Sequence, residues 1–155
     1  MFKHILVAID GSAYSHEALP AAVEMAKKFD SEVLVLHVSE HDRGRAVVYT
    51  LETPAAATMM VATAVKQLQD AGLTATGQLV DVAAGHVAKA IVETANAKGI
   101  DLIVMGSRGL SDVQGMMLGS VTHKVMHTAV IPVLVVRTST AKPAIPNGAV
   151  ASSAP

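Results

Sequence analysis

The 155-residue chain contains no cysteine and no tryptophan, and its aromatic residues amount to Phe2, Tyr14, Phe29 and Tyr49. Without cysteine there are no disulfides, no thiolate metal ligands and no thiol nucleophile, a composition compatible with a reducing compartment. A cytoplasmic location is the expectation, though lack of cysteine alone does not prove it. So few aromatics leave no platform on which the bases of a single-stranded nucleic acid could stack. An excess of either charge is missing as well: 12 Lys and Arg stand against 13 Asp and Glu, a net charge of -1. That balance provides no general field for duplex nucleic acid or an anionic membrane. Apolar runs are short. None approaches the roughly 20 residues needed to cross a bilayer, and the opening run Ile5 to Ile9 leads into Asp10 and Gly11 rather than a small-residue cleavage site. The chain is expected to have neither a nucleic acid nor a membrane as partner, and any anion it binds must be held by local groups.

What is present is an aliphatic core. Hydrophobic residues make up 51% of the sequence, enough for one domain. Lys3 to Ile9 is a nearly continuous apolar run stopped by Asp10-Gly11-Ser12, the pattern of a strand buried on both faces of a parallel sheet. A helix should follow, capped by Ser12 or Ser15, with an apolar stripe up to Phe29 and with Pro20 bending it or limiting its first turn. Further strands are expected at Glu32 to Val38, Thr74 to Val82, Leu102 to Met105 and Pro132 to Val136. An irregular stretch from Ser39 to Thr53 precedes a helix from near Pro54 to Asp70 stopped by Gly72. A third helix should run from Ala84 or Gly85 to Ala97, closed by Gly99, and a fourth from Ser120 to Thr128. Five strands alternating with four helices imply an α/β fold: a single-domain, three-layer, doubly wound five-stranded parallel sheet. Residues 138–155 are rich in Ala, Ser and Pro without periodicity and read as a disordered tail.

The segment that carries chemistry begins at Gly106 and reads Gly-Ser-Arg-Gly-Leu-Ser-Asp-Val-Gln-Gly-Met-Met-Leu-Gly-Ser-Val-Thr. It starts where a strand ends and finishes where a helix begins. A helix N-terminus exposes unpaired N–H groups and a partial positive charge, so phosphate is stabilised there without many lysines. Gly119 allows close approach to an anion, Ser120 can cap the helix, and Ser120 and Thr122 can add hydroxyl donors. Gly106 and Gly109 permit left-handed or crowded backbone beside a ligand. Arg108 either adds a charged contact or points into solvent. Neither Gly-x-x-x-x-Gly-Lys-Ser/Thr nor Gly-x-Gly-x-x-Gly is present, because no lysine precedes Ser120 and the spacing of Gly106 and Gly109 differs.

The spacing Gly-x2-Gly-x9-Gly-Ser, carried by Gly106, Gly109, Gly119 and Ser120, resembles that of the ATP-binding members of the universal stress protein family. The blocks Ile5 to Ser12, Val35 to Val38, Asp101 to Leu110 and Ile131 to Val136 are similar to that family's, in its order, so the resemblance covers residues 1–137. It implies a Rossmann-like fold of the adenine nucleotide alpha hydrolase type with strand order 3-2-1-4-5. It also implies an adenine-nucleotide site at the carboxyl ends of the first and fourth strands, usually in a homodimer. Asp10 resembles the acidic residue beside the nucleoside, Ala8 and Ile9 its strand neighbours, and Val38 the residue whose backbone meets adenine. Met105, Gly106, Arg108 and Gly109 resemble one wall, and Gly119, Ser120, Val121 and Thr122 the phosphate cradle. The implied ligand is ATP, with Mg2+ or Mn2+ as the accompanying cation. Val113 to Gly115 departs from the family, since many relatives are more basic there.

Plainer roles stand beside these. Asp10 can cap the first helix or form an Asp-Gly turn. A carboxylate repels phosphate, so in a nucleotide site it would serve the ribose, the base or a divalent cation. His123 and His127 lie four apart, a spacing that can hold zinc, but no Glu follows His123 and no third ligand is evident, so no metal site is expected. His37 reads as a hydrogen-bonded core histidine, and Met59, Met60, Met116 and Met117 as gap fillers or loop covers. The uncharged run Val133 to Val136 is expected at a sheet edge, where it invites homodimerisation. Three functions remain open: a nucleotide-binding regulatory protein with slow or no hydrolysis, an ATP hydrolase or phosphoryl-transfer enzyme, and a dimeric scaffold without nucleotide. No Walker lysine, no Gly-x-Ser-x-Gly elbow and no evident acid and base pair speak for the second.

Overall fold

In chain order the computed structural model, which describes residues 1–41, 52–109 and 118–137, contains β1 (His4–Ile9), α1 (Ala13–Phe29), β2 (Glu32–His41), α2 (Pro54–Asp70), β3 (Ala75–Ala83), α3 (Val87–Ala97), β4 (Leu102–Gly106), α4 (Ser120–Thr128) and β5 (Val133–Val136). The expectations for residues 138–155, Val113 to Gly115, Met116 and Met117 lie outside the described residues.

Alternation of side chains along the strands builds two apolar layers, because successive Cβ atoms leave a strand on opposite faces. Ile5, Val7 and Ile9 of β1, Val33 and Val35 of β2 and Leu102 and Val104 of β4 share one cluster with α1 and α2. Leu6, Leu36, Ile103 and Met105 point the other way, into a cluster closed by α3 and α4. The strands are joined in a single parallel sheet of order β3-β2-β1-β4-β5, as expected of a doubly wound α/β domain. Each fully buried aliphatic side chain, such as Leu68 or Ile103, contributes roughly 1.5–3 kcal/mol over leaving it in water.

Local signals set most boundaries. Ser12 caps α1 by accepting from the Ser15 N–H at 3.2 Å, and Thr53 caps α2 with Pro54 in the first turn. Gly72 and Gly99 follow the ends of α2 and α3 with φ of 86° and 64°, left-handed values that glycine adopts without strain. α1 runs unbroken through Pro20. That ring lies on the exposed face, where water can meet the carbonyl that loses its helical donor.

Several boundaries differ from the sequence expectation: β1 begins one residue later, at His4, and β4 extends one residue further, to Gly106. β2 continues to His41 instead of turning irregular at Ser39, because Ser39, Glu40 and His41 still pair with Asp81, Val82 and Ala83, and Glu40 Oε1 accepts the Gly85 N–H at 2.6 Å. β3 is shifted by one residue, to Ala75–Ala83. α3 begins at Val87, after a turn at Gly85 with φ of 84°. β5 begins at Val133. Pro132 still joins the ladder through its carbonyl, which accepts from the Ile103 N–H at 3.0 Å.

Candidate functional site

The connections leaving β1 and β4 run to opposite sides of the sheet, one toward β2 and the other toward β5. Where two such neighbours diverge, a crevice opens beyond their carboxyl ends. Asp10, directly after β1, and Gly106 to Gly109, at the end of β4, meet there. The contact is close: a Cβ on Gly109 would stand 2.5 Å from Asp10 Oδ2. Asp10 Oδ1 accepts from the Ser12 N–H at 2.9 Å and the Ser12 hydroxyl at 2.6 Å. The carboxylate thus forms an Asx-type turn at the start of α1 while its second oxygen faces the β4 loop.

Crowding, not dihedral angle, requires glycine at Gly106 and leaves little room at Gly119. Among the described residues the left-handed glycines are Gly11, Gly72, Gly85 and Gly99, so of the two reasons offered for Gly106 and Gly109 only close approach holds. A Cβ on Gly106 would lie 2.5 Å from the Tyr14 carbonyl oxygen, and one on Gly119 would lie 3.2 Å from Arg108 Cα. The chain returns from the 110–117 segment so near the end of β4 that the Gly119 N–H donates to the Ser107 carbonyl at 2.8 Å.

The start of α4 differs from the sequence reading in its cap. Gly119, with φ of -67° and ψ of 153°, is the cap residue, and Ser120 is the first helical residue, because the Gly119 carbonyl already accepts from the His123 N–H at 2.9 Å. Among the described residues no side chain caps this helix. The Thr122 hydroxyl is turned inward, 3% exposed, and donates to the Gly106 carbonyl at 2.9 Å. It ties α4 to β4 and is not offered to the crevice as a donor. With the Gly119 N–H also occupied, the groups without an intrahelical acceptor are the N–H groups of Ser120, Val121 and Thr122, which any α-helix leaves open in its first turn.

Arg108 is half-buried beside the first turn of α1. Its guanidinium carbon lies 5.7 Å from the centre of the Tyr14 ring, and Nη1 approaches the Tyr14 hydroxyl at 3.4 Å, within the range of a cation–π contact. Tyr14 is thus a residue of the candidate site that sequence reasoning missed. Its only signals were its rarity and its place in the first turn after Asp10.

The aliphatic members of the predicted set belong to the core. Ala8 pairs in register with Met105 across β1 and β4. Ala8, Val38 and Val121 all pack against the cluster that contains Met105, and Ile9 belongs to the opposite cluster. What these residues can present to a ligand is backbone, the role the resemblance implies for Val38.

Beside the crevice, between α1 and α2, lies a largely apolar cavity of about 530 Å³. Of the predicted residues it touches only Ile9, and its wall is completed by Gly11, Leu19, Met59 and Met60 among others. Met60 fills a gap as expected, its Cε standing 2.9 Å from where a Gly11 Cβ would be. Met59 does not, being 69% exposed. His37 is buried as expected: Nδ1–H donates to the Ile9 carbonyl at 2.8 Å, and Nε2 faces Glu52 Oε2 at 2.6 Å. Among the described residues no group of three or more His, Cys, Asp and Glu could hold a metal ion, and no helix is long and apolar enough to cross a membrane.

Comparison with known proteins agrees with this architecture. The family model described as the universal stress protein family matches residues 1–137. Universal stress protein YxiE of Bacillus subtilis is 37% identical, with 88% of this chain and 100% of that protein covered. Universal stress protein MJ0531 of Methanocaldococcus jannaschii is 31% identical over 88% of this chain and 83% of its own length. Among solved structures, that of hypothetical protein MJ0577 superposes with a TM-score of 0.72 at 28% identity, covering 88% of this chain and 96% of that one. A universal stress protein in complex with cAMP gives 0.68 at 28%, covering 89% and 99%. With its sheet order, its crevice and its relatives in agreement, this chain belongs to the universal stress protein family.

Proposed function

We propose that the protein binds ATP in the crevice between β1 and β4 and acts in the cytoplasm as a stress-response regulator with slow or no hydrolysis. The observation that carries this reading is the uncapped start of α4, packed through Gly119 against the end of β4 and beside Asp10. The residues present suit a polyphosphate. The Ser120, Val121 and Thr122 N–H groups and the helix dipole stabilise negative charge. Gly119 keeps the approach free of a side chain, and Arg108 supplies a cation held by Tyr14. Asp10 faces the nucleoside end or a Mg2+ or Mn2+ ion, and the Val38 backbone meets the base. A relative at 28% identity in complex with an adenine nucleotide, cAMP, supports the ligand class.

Dimerisation belongs to the same proposal. Among the described residues β5 is one of the sheet's two edge strands, with β3 at the other, and all four of its residues are partly exposed. An unpaired apolar edge is completed by a second copy.

The test is an ATP titration of the purified protein with magnesium, together with a turnover assay and mass spectrometry of released small molecules. Saturable ATP binding without steady release of ADP is the expected result. Sustained turnover would make the protein an ATP hydrolase, and failure to bind any adenine nucleotide would leave a scaffold. Light scattering at micromolar concentration is expected to give the mass of a dimer, and a monomer there would refute pairing through β5.

A further inference from the structure

We propose that His123 and His127 form a two-imidazole site on α4 for a divalent transition-metal ion. The i, i+4 spacing alone did not carry this, since it places any two residues on one helical face. The new observation is how the rings are turned. Their Nε2 atoms face each other at 3.2 Å, with ring centres 4.4 Å apart. Two nitrogens 3.2 Å apart, each about 2.05 Å from a shared metal, subtend roughly 100° at it, close to the tetrahedral and cis-octahedral angles. The two nitrogens are therefore already at chelating distance, and small ring rotations aim both at a shared ion. Both histidines are exposed. Val125, between them, is fully buried and Thr122 nearly so, so packing fixes the helix that presents the rings while leaving their outer side to solvent.

In the metal-free pair, one ring donates its Nε2–H to the other's Nε2. Binding an ion through both Nε2 atoms requires both rings as Nδ1–H tautomers. The donating ring moves its proton from Nε2 to Nδ1, a transfer that water carries at an exposed residue. Since no third His, Cys, Asp or Glu joins them among the described residues, water completes the coordination. Imidazole suits copper, nickel and zinc, and for such a site the affinity should peak at Cu2+.

Calorimetric titration of the full chain with Cu2+, Ni2+ and Zn2+ in a non-coordinating buffer is expected to show one ion per chain, with Cu2+ bound most tightly. His123→Ala and His127→Ala should each lower the affinity. Loss of an outer partner alone costs metal sites roughly 10- to 100-fold, so loss of one of two ligands should cost about tenfold or more. Electron paramagnetic resonance of the Cu2+ form should report two imidazole nitrogens in the wild type and one in each variant, and circular dichroism should stay unchanged. Equal affinity in wild type and both variants would overturn the site by locating the ion elsewhere. Absence of saturable Cu2+ binding would reduce the pair to a hydrogen bond between rings.

Discussion

Gly106→Ala is expected to destabilise the fold by about 3 kcal/mol, at the upper end of what overpacking costs, and to lower the thermal midpoint by roughly 6–12 °C for a domain of this size. The added Cβ would stand 2.5 Å from the Tyr14 carbonyl oxygen, 2.7 Å from its carbon and 3.1 Å from the Ser15 nitrogen. All three are backbone atoms of the first turn of α1, so no rotamer change relieves the contact. That turn is anchored by the Ser12 cap and by the Asp10–Ser12 hydrogen bonds, and it can retreat only by lifting α1 from β4. Gly109→Ala makes an equally short contact, at 2.5 Å, but with Asp10 Oδ2, the end of a side chain that can rotate. It should cost less. Thermal unfolding followed by circular dichroism checks both, and equal midpoints for Gly106→Ala and wild type would show that the β4–α1 approach is looser than described.

The buried strands were legible because each is an unbroken aliphatic run with a turn signal at its end. Ile5 to Ile9 before Asp10-Gly11 and Leu102 to Met105 before Gly106 admit little besides a doubly covered parallel strand. Glycines placed after helix ends marked α2 and α3 closely. Edges were read less well where pairing alone decides them. Ser39, Glu40 and His41 carry no apolar pattern, and they are strand only because Asp81, Val82 and Ala83 lie alongside. Propensity within a window cannot report a partner more than forty residues away.

At the site, sequence reasoning found the elements but not the hydrogen bonds. The glycines were recognised by their spacing, and the meeting of Asp10 with Gly109 follows from β1 and β4 being neighbours. Where each donor goes could not be read. Ser120 looks like a cap, because serine so often is one, yet the Gly119 carbonyl already opens the helix. The Thr122 hydroxyl looks available and instead holds Gly106. Arg108 looks like a ligand or a solvent group, and its position depends on Tyr14, which is 94 residues away in the chain.

These assignments sharpen what Gly119→Val should do: abolish saturable ATP binding while leaving the circular dichroism spectrum folded. The backbone at Gly119, with φ of -67° and ψ of 153°, is extended and open to valine. Its N–H can keep the Ser107 carbonyl and its own carbonyl can still start α4, so the helix survives. The first added carbon fits tightly, 3.2 Å from Arg108 Cα, 3.5 Å from the Ser107 oxygen and 3.6 Å from the Gly109 nitrogen. The two further methyls of valine must extend beyond it, over the first turn whose N–H groups are proposed to meet phosphate. A phosphate displaced from those donors loses charge-assisted hydrogen bonds together with the helix dipole, and no lysine stands in the Gly106–Thr122 segment to replace them. Gly119→Ala, which adds only the first carbon, should weaken binding without abolishing it. If a folded Gly119→Val protein binds ATP as tightly as the wild type, the phosphates do not lie at the start of α4, whereas a wild type that binds no nucleotide would refute the function itself.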